Sequence, residues 1–294
     1  MKRLLQAGVA CLLAAAPAPA QTPATRPAAP IDYETARLSR VVTAIRITDR
    51  IGIDGHLDEA AWQLATPATD FVTRLPREGQ PSRERTEARF LYDDDNLYVG
   101  FTAFDSDVAH IVVNELKKDF NFGQNDLVTV SIDSLHDRRS GFFFNLNPAG
   151  ARRDGQIFND GQNNVDWDGV WEGKTSIGEQ AWIAEFSIPF KTLRFAESAT
   201  QEWGVNMGRR VSRINEESQW SPIPTRFGGL KISMAGTLTG LGDVHQGRNL
   251  KIKPFATTGL TELRDADGRL QTTRSLSRLK DYDGGVDAKF GLTP

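Results

Sequence analysis

Short apolar runs dominate the chain from Val41 onward. Ten of them, at 41–47, 86–92, 97–104, 127–135, 142–147, 155–158, 170–177, 181–188, 203–212 and 236–241, are built from strand-forming residues. Several alternate with a period of two. In Leu97-Tyr98-Val99-Gly100-Phe101 the odd positions are all apolar and share one side. Turn formers punctuate the runs at Asp93-Asp94-Asp95-Asn96, Asn147-Pro148-Ala149-Gly150 and Gly178-Glu179. Helical spacing is scarce: 57–64 predicts about two turns and 190–193 about one. Many short strands at this spacing predict an all-β protein, an antiparallel sandwich or barrel. No period of repeat-protein length is visible.

The two ends differ from this middle. Met1-Lys2-Arg3 gives a positive start, 7–16 is an unbroken small or apolar run, and Ala18-Pro19-Ala20 offers a small-residue cleavage site before Gln21. That order predicts a signal peptide over residues 1–20, its apolar run too short to span a bilayer. Export to the periplasm or outer membrane is therefore expected. Pro23, Pro27 and Pro30 among Ala and Thr make 21–39 an extended linker. At the other end, 249–260 alternates with Leu250, Ile252, Ala256 and Leu260 in one register. Asp265-Ala266-Asp267-Gly268 makes a turn, and 281–292 reads as another strand. Strands of about ten residues with period two suit an outer-membrane barrel. Residues 246–294 are thus expected to be the first strands of a C-terminal β-barrel, cut short at Thr293-Pro294. The plainer alternative is an edge hairpin on the sandwich, which occupies 40–245.

Composition excludes classes rather than naming a function. With 39% hydrophobic and 25% charged residues, 16 Phe and 6 Trp, the chain is globular and can bury a sizeable core. A net charge of −3 argues against a nucleic-acid partner held by bulk charge. Cys11 is the single cysteine and falls in the signal run, so neither a disulfide nor a cysteine metal site is expected. The four histidines, His56, His110, His136 and His245, show no zinc-binding spacing. No phosphate loop or nucleophile elbow occurs. Carboxylates do cluster, and Asp93, Asp95, Asp105 and Asp107 are the candidates for a structural calcium, although none fits an EF-hand loop.

Five segments carry a resemblance. They are Ile53-Asp54-Gly55-His56-Leu57-Asp58-Glu59-Ala60-Ala61-Trp62, Asp95-Asn96-Leu97-Tyr98-Val99-Gly100-Phe101, Asn125-Asp126-Leu127-Val128-Thr129-Val130-Ser131-Ile132-Asp133, Trp182-Ile183-Ala184-Glu185-Phe186-Ser187-Ile188-Pro189-Phe190 and Trp203-Gly204-Val205-Asn206. In this order and spacing the chain resembles the family 9 carbohydrate-binding modules over about residues 40–245. More closely, it is similar to secreted bacterial proteins that place such a module before an outer-membrane-type barrel. The resemblance implies a jelly-roll-like β-sandwich that binds sugar, often with bound calcium, in association with glycoside-hydrolase systems. Sugar-binding members clamp the ligand between two tryptophans. Here Phe122 and Gly123 stand at the first place, and 221–226, before Phe227-Gly228-Gly229-Leu230, holds no aromatic residue at the second. An acidic family contact becomes Thr129 and an arginine contact becomes Asn145.

The residues support a saccharide site on their own chemistry. Aromatic faces stack on the C–H face of a pyranose, and planar polar groups read its hydroxyls, in a cleft where both converge. Two stretches offer that mixture. One is 120–126; the other is 159–171, which holds three Asn, three Asp, one Gln and two Trp. The expected stacking residues are Phe122, Trp167, Trp171 and Trp220, with the core claiming whichever indole points inward. The expected hydrogen-bonding residues are Asn125, Asp126, Asn145 and Arg152. Trp62, Trp182 and Trp203 are assigned to the core, and Phe190, Leu193 and Phe195 to a packed lid. The expected partner is an oligo- or polysaccharide bound by a monomer without catalytic groups of its own. Two rivals stand beside it: a docking or plug domain for a barrel, and a glycoside hydrolase using a pair among Asp154, Asp160, Asp166, Asp168 and Glu172.

Overall fold

The computed structural model describes residues 31–247, 250–260 and 280–290; the expected signal peptide, residues 21–30 of the expected linker and the expected turn at 265–268 lie outside them. Among the described residues there is no α-helix, and the short helical segments are all 3-10 turns. The expected two-turn helix over 57–64 is one of these, at Ala60–Leu64. The strands are β1 (Val41–Thr43), β2 (Ile45–Arg46), β3 (Val72–Leu75), β4 (Thr86–Tyr92), β5 (Asn96–Phe104), β6 (Leu127–Asp133), β7 (Gly141–Leu146) and β8 (Arg152–Phe158). They continue with β9 (Gln162–Asn164), β10 (Glu172–Ile177), β11 (Ala181–Pro189), β12 (Thr200–Val211), β13 (Glu216–Gln219), β14 (Gly236–Gly242), β15 (Leu250–Leu260) and β16 (Lys280–Phe290).

Two sheets form the sandwich. The larger runs β1-β14-β12-β6-β7-β8-β9, with β13 and then β3 added along the second half of β12; the smaller runs β10-β11-β5-β4-β2. Alternation decides what lies between them. Phe90, Val99, Phe101, Phe186 and Trp182 come from the smaller sheet, and Val130, Phe144, Trp203, Val205 and Met207 from the larger; all are fully buried in one cluster. Phe190, Leu193 and Phe195 close one end of it, with Phe195 5.1 Å from Trp203. The expected strand over 41–47 is broken at Ala44. Val41–Thr43 pairs in parallel with β14, and Ile45–Arg46 pairs in parallel with β4, so the chain crosses from one sheet to the other there.

A buried cation pins the sheets together. Arg209 extends the inward-facing row of β12, Trp203-Val205-Met207, with 1% of its side chain exposed. Its Nη1 donates to the carbonyls of Arg85 and Phe104, at 3.1 and 2.6 Å, and its Nη2 to Asp105 Oδ2 at 3.1 Å. Arg213 also reaches Asp105, and bonds Glu84 Oε1 at 2.7 Å. Burial pulls the Arg209 guanidinium down to about 10, opposed by Asp105, Glu84 and Asp126, so it stays charged at neutral pH.

The 47–65 segment covers the outer face of the smaller sheet, burying Ile47, Ile51 and Trp62 against Leu91 and Tyr98. Gly100 is required here, because a Cβ would sit 2.7 Å from Leu57 and 2.9 Å from Trp62. Beneath this cover lies Glu185, fully buried, its Oε2 accepting from the N–H groups of Asp54 and Gly55 at 3.0 Å each. Burial pushes its carboxyl from 4.5 to about 7; the two N–H donors oppose the rise, and Glu59 and Asp54 add to it.

The tail is an antiparallel pair of eleven-residue strands in which Ile252 opposes Ala288 and Pro254 opposes Val286. Phe255 lies over Gly285, where a Cβ would meet its ring at 2.6 Å. Among the described residues this is a two-stranded sheet, and no barrel is formed.

Arg209→Ala leaves Asp105 half-paired and two buried carbonyls without their donor, and is expected to cost about 3–5 kcal/mol in chemical denaturation. A loss under about 1 kcal/mol would show that the cation is dispensable. A second expectation concerns pH. Glu185 keeps its proton in the folded protein above the pH at which the unfolded chain releases it. Its contribution is therefore full below pH 4.5 and is lost as pH rises toward about 7, by at most roughly 3 kcal/mol. Glu185→Gln should remove that part of the decline when urea midpoints are compared between about pH 5 and pH 8; parallel declines in both proteins would contradict it.

Candidate functional site

The register of the larger sheet builds a polar row across its outer face. Gln219 opposes Gly208, Gly208 opposes Thr129, Thr129 opposes Asn145, and Asn145 opposes Arg153. Directly opposed residues share a face, so one line crosses β13, β12, β6, β7 and β8. Their neighbours in sequence, such as Met207, Val130, Phe144 and Leu146, point the other way into the core. Gly208 keeps the middle of the row low: a Cβ there would lie 3.0 Å from the Gln219 amide.

The row has two levels. Asn145 (1% exposed) and Thr129 form the floor, while Arg153, Gln219 and Phe122 are half-buried above it. Phe122 packs on Phe120, Leu127 and Ala151. The Arg153 guanidinium stands 6.0 Å from the Phe122 ring and 5.8 Å from Phe143. Burial holds the Arg153 pKa below its ordinary value, with Asp119 acting against the shift, and no carboxylate pairs with it among the described residues. Asn145 Oδ1 is buried and has no hydrogen-bond partner among the described residues. An amide, a hydroxyl, a second amide and a guanidinium in line beside a phenyl ring can hydrogen-bond vicinal hydroxyls and pack against an apolar ring face.

One side of this patch is bounded by 220–235. Asn206, one row further along β12, donates from Nδ2 to the Ser221 carbonyl at 2.9 Å and accepts from the Ser221 N–H at 2.8 Å. Ser221 Oγ donates to the Met234 carbonyl at 2.6 Å. Phe143, Ile157, Ile232 and Ala235 then bury one another beneath this cover.

The sequence-predicted residues do not converge on one rim. Phe122 and Asn145 belong to the row. Asn125 and Asp126 are buried and engaged with the backbone: Asn125 Oδ1 accepts from the N–H of Asn114 at 2.7 Å and its Nδ2 donates to the Asn121 carbonyl at 3.0 Å, while Asp126 accepts from the N–H groups of Val112 and Ser212 at 3.4 and 2.6 Å. Arg152 points opposite to Arg153; its Nη1 donates to the Trp171 carbonyl at 2.6 Å and its guanidinium lies over the Trp171 ring. Trp171 is core, stacked on Phe186 at 5.7 Å and edge-on to Phe144. Trp220 is buried with Arg40 above it. Trp167 is half-buried, 4.9 Å from Phe142, on the inward side of β7 and away from the row. Trp171 and Trp220 are buried and present no face to a sugar, which corrects their expected stacking role; half-buried Trp167 lies away from the row, and Phe122 is the expected ring that lies beside it.

Calcium does not fit the four expected ligands. Asp93 spends Oδ1 on the N–H groups of Asp95 and Asn96 and Oδ2 on the Tyr98 hydroxyl. Burial works against its ionisation, but these donors outweigh it and leave the pKa below the ordinary value. Asp105 is neutralised by Arg209 and Arg213, and Asp107 bonds His110 Nδ1 at 2.7 Å. Among the described residues no three acidic or histidine side chains are placed to hold a metal ion. Of the carboxylates considered for hydrolysis, Lys118 Nζ lies 3.5 Å from buried Asp154 and also bonds Asp168, and Lys231 pairs with Asp160 at 2.5 Å.

A two-sheet sandwich with a polar row beside an aromatic ring belongs to the class of β-sandwich ligand-binding modules. The family model for carbohydrate family 9 binding domain-like proteins matches residues 53–217, and the chain belongs to that family. Among solved structures, a Bacteroides uniformis protein has a TM-score of 0.55 at 12% identity, with 69% of this chain and 99% of that chain covered. A family 9 carbohydrate binding module from Caldicellulosiruptor kristjanssonii in complex with cellotriose has a TM-score of 0.50 at 13% identity, with 69% and 94% covered. At these identities the likeness concerns the fold. No curated protein matches the chain.

Trp171→Ala is expected to cost about 3–5 kcal/mol of stability and Trp167→Ala roughly half of that or less. Chemical denaturation of the two variants measures the difference; equal losses would mean that Trp167 is as much a core residue as Trp171.

Proposed function

We propose that residues 40–245 form a non-catalytic saccharide-binding module and that the polar row on the larger sheet is its contact surface. Family membership supports the ligand class, and the unpaired Asn145 Oδ1 is the observation that carries the site. A buried acceptor without a donor costs about 1–3 kcal/mol, and an incoming sugar hydroxyl recovers that cost. Arg153 and Gln219 supply donors on either side. Phe122 offers the apolar surface that the expected tryptophan clamp would have provided. With one ring in place of two, the module takes a chain end or a single sugar unit from one side. Cellotriose, the ligand of the Caldicellulosiruptor relative, is a sensible first probe.

The setting we propose is the bacterial envelope. The positive start, apolar run and small-residue site of 1–20 support export, and the period-two alternation of 249–260 is the ground on which we extend the reading to a tail that contributes to an outer-membrane barrel. In that arrangement the module holds glycan close to the membrane.

Calorimetry with gluco-, xylo- and manno-trisaccharides tests the reading. At least one should bind, and Asn145→Ala and Phe122→Ala should each weaken it about tenfold, which corresponds to about 1.4 kcal/mol. Silence across the neutral panel, or unchanged affinity in both variants, removes the row as the site.

A further inference from the structure

A second cleft lies at the opposite end of β7 and β8. Asn145 is near one end of β7 and Gly141 is at the other, four residues and ~13 Å away. Around Gly141 the 134–140 turn, the end of β9 and the loop carrying Arg194 line a cleft of about 450 Å³. Phe142 and Phe158 form its aromatic walls. Trp167 backs Phe142 at 4.9 Å and fixes its ring. Phe158 is 41% exposed, an unusual position for a phenyl ring unless something covers it.

The polar groups of this cleft are free to bind. Arg194 lines it, and its guanidinium pairs with no carboxylate among the described residues; only its carbonyl is engaged, accepting from Ser134 Oγ at 2.6 Å. The side-chain amide of Gln156 makes no hydrogen bond among the described residues. Asn164 uses only its Oδ1, which accepts from the N–H of Asp166 at 3.0 Å, and leaves its Nδ2 available. The acids nearby are consumed by the turn itself. Asp133 accepts from the N–H groups of Asp137 and Arg138, and Asp137 from those of Arg139 and Ser140. Arg138 and Arg139 lie in the same turn and offset these two carboxylates, and Arg194 is the cation among the residues that line the cleft.

We propose that this cleft is a second saccharide site and that it selects a uronic-acid unit. Arg194 takes the ring carboxylate in the paired geometry that guanidinium favours. Gln156 and Asn164 read the hydroxyls, and Phe142 and Phe158 pack on the C–H face. The polar row has no claim on these residues, so the two sites act independently, one for neutral sugar and one for acidic sugar.

The test is calorimetry of the full chain with tri-oligomers of galacturonate, glucuronate and mannuronate, alongside the neutral panel. At least one uronate should bind the wild type. Arg194→Ala should weaken it at least tenfold and Phe158→Ala several-fold, while Asn145→Ala leaves it unchanged. Raising salt from about 50 to 500 mM should weaken the uronate and spare any neutral ligand. Silence across all three uronates overturns the proposal. So does a loss on Asn145→Ala equal to that on Arg194→Ala, or an affinity indifferent to Arg194. Each of these outcomes leaves the neutral-sugar result, read by Asn145→Ala, to stand or fall separately.

Discussion

A charged guanidinium between two β-sheets is tolerable only if both sheets supply its acceptors. Arg209 comes from the larger sheet, and its partners, the carbonyls of Arg85 and Phe104 and the carboxylate of Asp105, come from the ends of β4 and β5 in the smaller one. Sliding one sheet by a single residue would leave that charge without partners in an apolar interior, at a cost of several kcal/mol. Hydrophobic contacts alone are non-directional and would accept neighbouring registers. The buried ion network therefore fixes the relative placement of the layers, and with it which residues line up on the outer face.

That alignment is what makes the polar row. None of Gln219, Thr129, Asn145 and Arg153 is close to the next in sequence, apart from the short β7–β8 connection. They meet because four ladders are in register at the same level. The core side of β6 and β7 is apolar at every alternate position, with Val128, Val130 and Ile132 on one strand and Phe142, Phe144 and Leu146 on the other, so their outer side carries polar groups without loss of packing. In the proposed reading of the row, sugar contact and core packing use opposite faces of β6 and β7.

The fold was legible because period-two alternation is a local signal. The strands over 86–92, 97–104 and 181–188 emerged close to their true extents, since each buries one face in the same core. Alternation was silent where a strand is short or polar. β3, β9 and β13 were not anticipated, and Ala44 hid a crossing between sheets inside one apolar run. The proposed row is legible only in part. Asn145 and Phe122 are among the expected contacts and Arg153 is not, although the apolar parity of Phe142, Phe144 and Leu146 on β7 puts Asn145 on the outer face. Register, which the sequence does not display, then pairs Asn145 with Arg153. Density of Trp and Asn in 159–171 pointed to a rim, yet Trp171 is needed to fill the space against Phe186. An indole counts equally in composition whether it faces a sugar or a neighbouring ring.

The crossing at Ala44 has a mechanical side. The strand before it lies parallel to β14 and the one after it parallel to β4. Tension entering ahead of Val41 is therefore met in shear along one ladder and handed across a single residue to another. Neither layer can be peeled away alone, since the load reaches both together. The leading edge of the fold is thereby stitched to both layers at once.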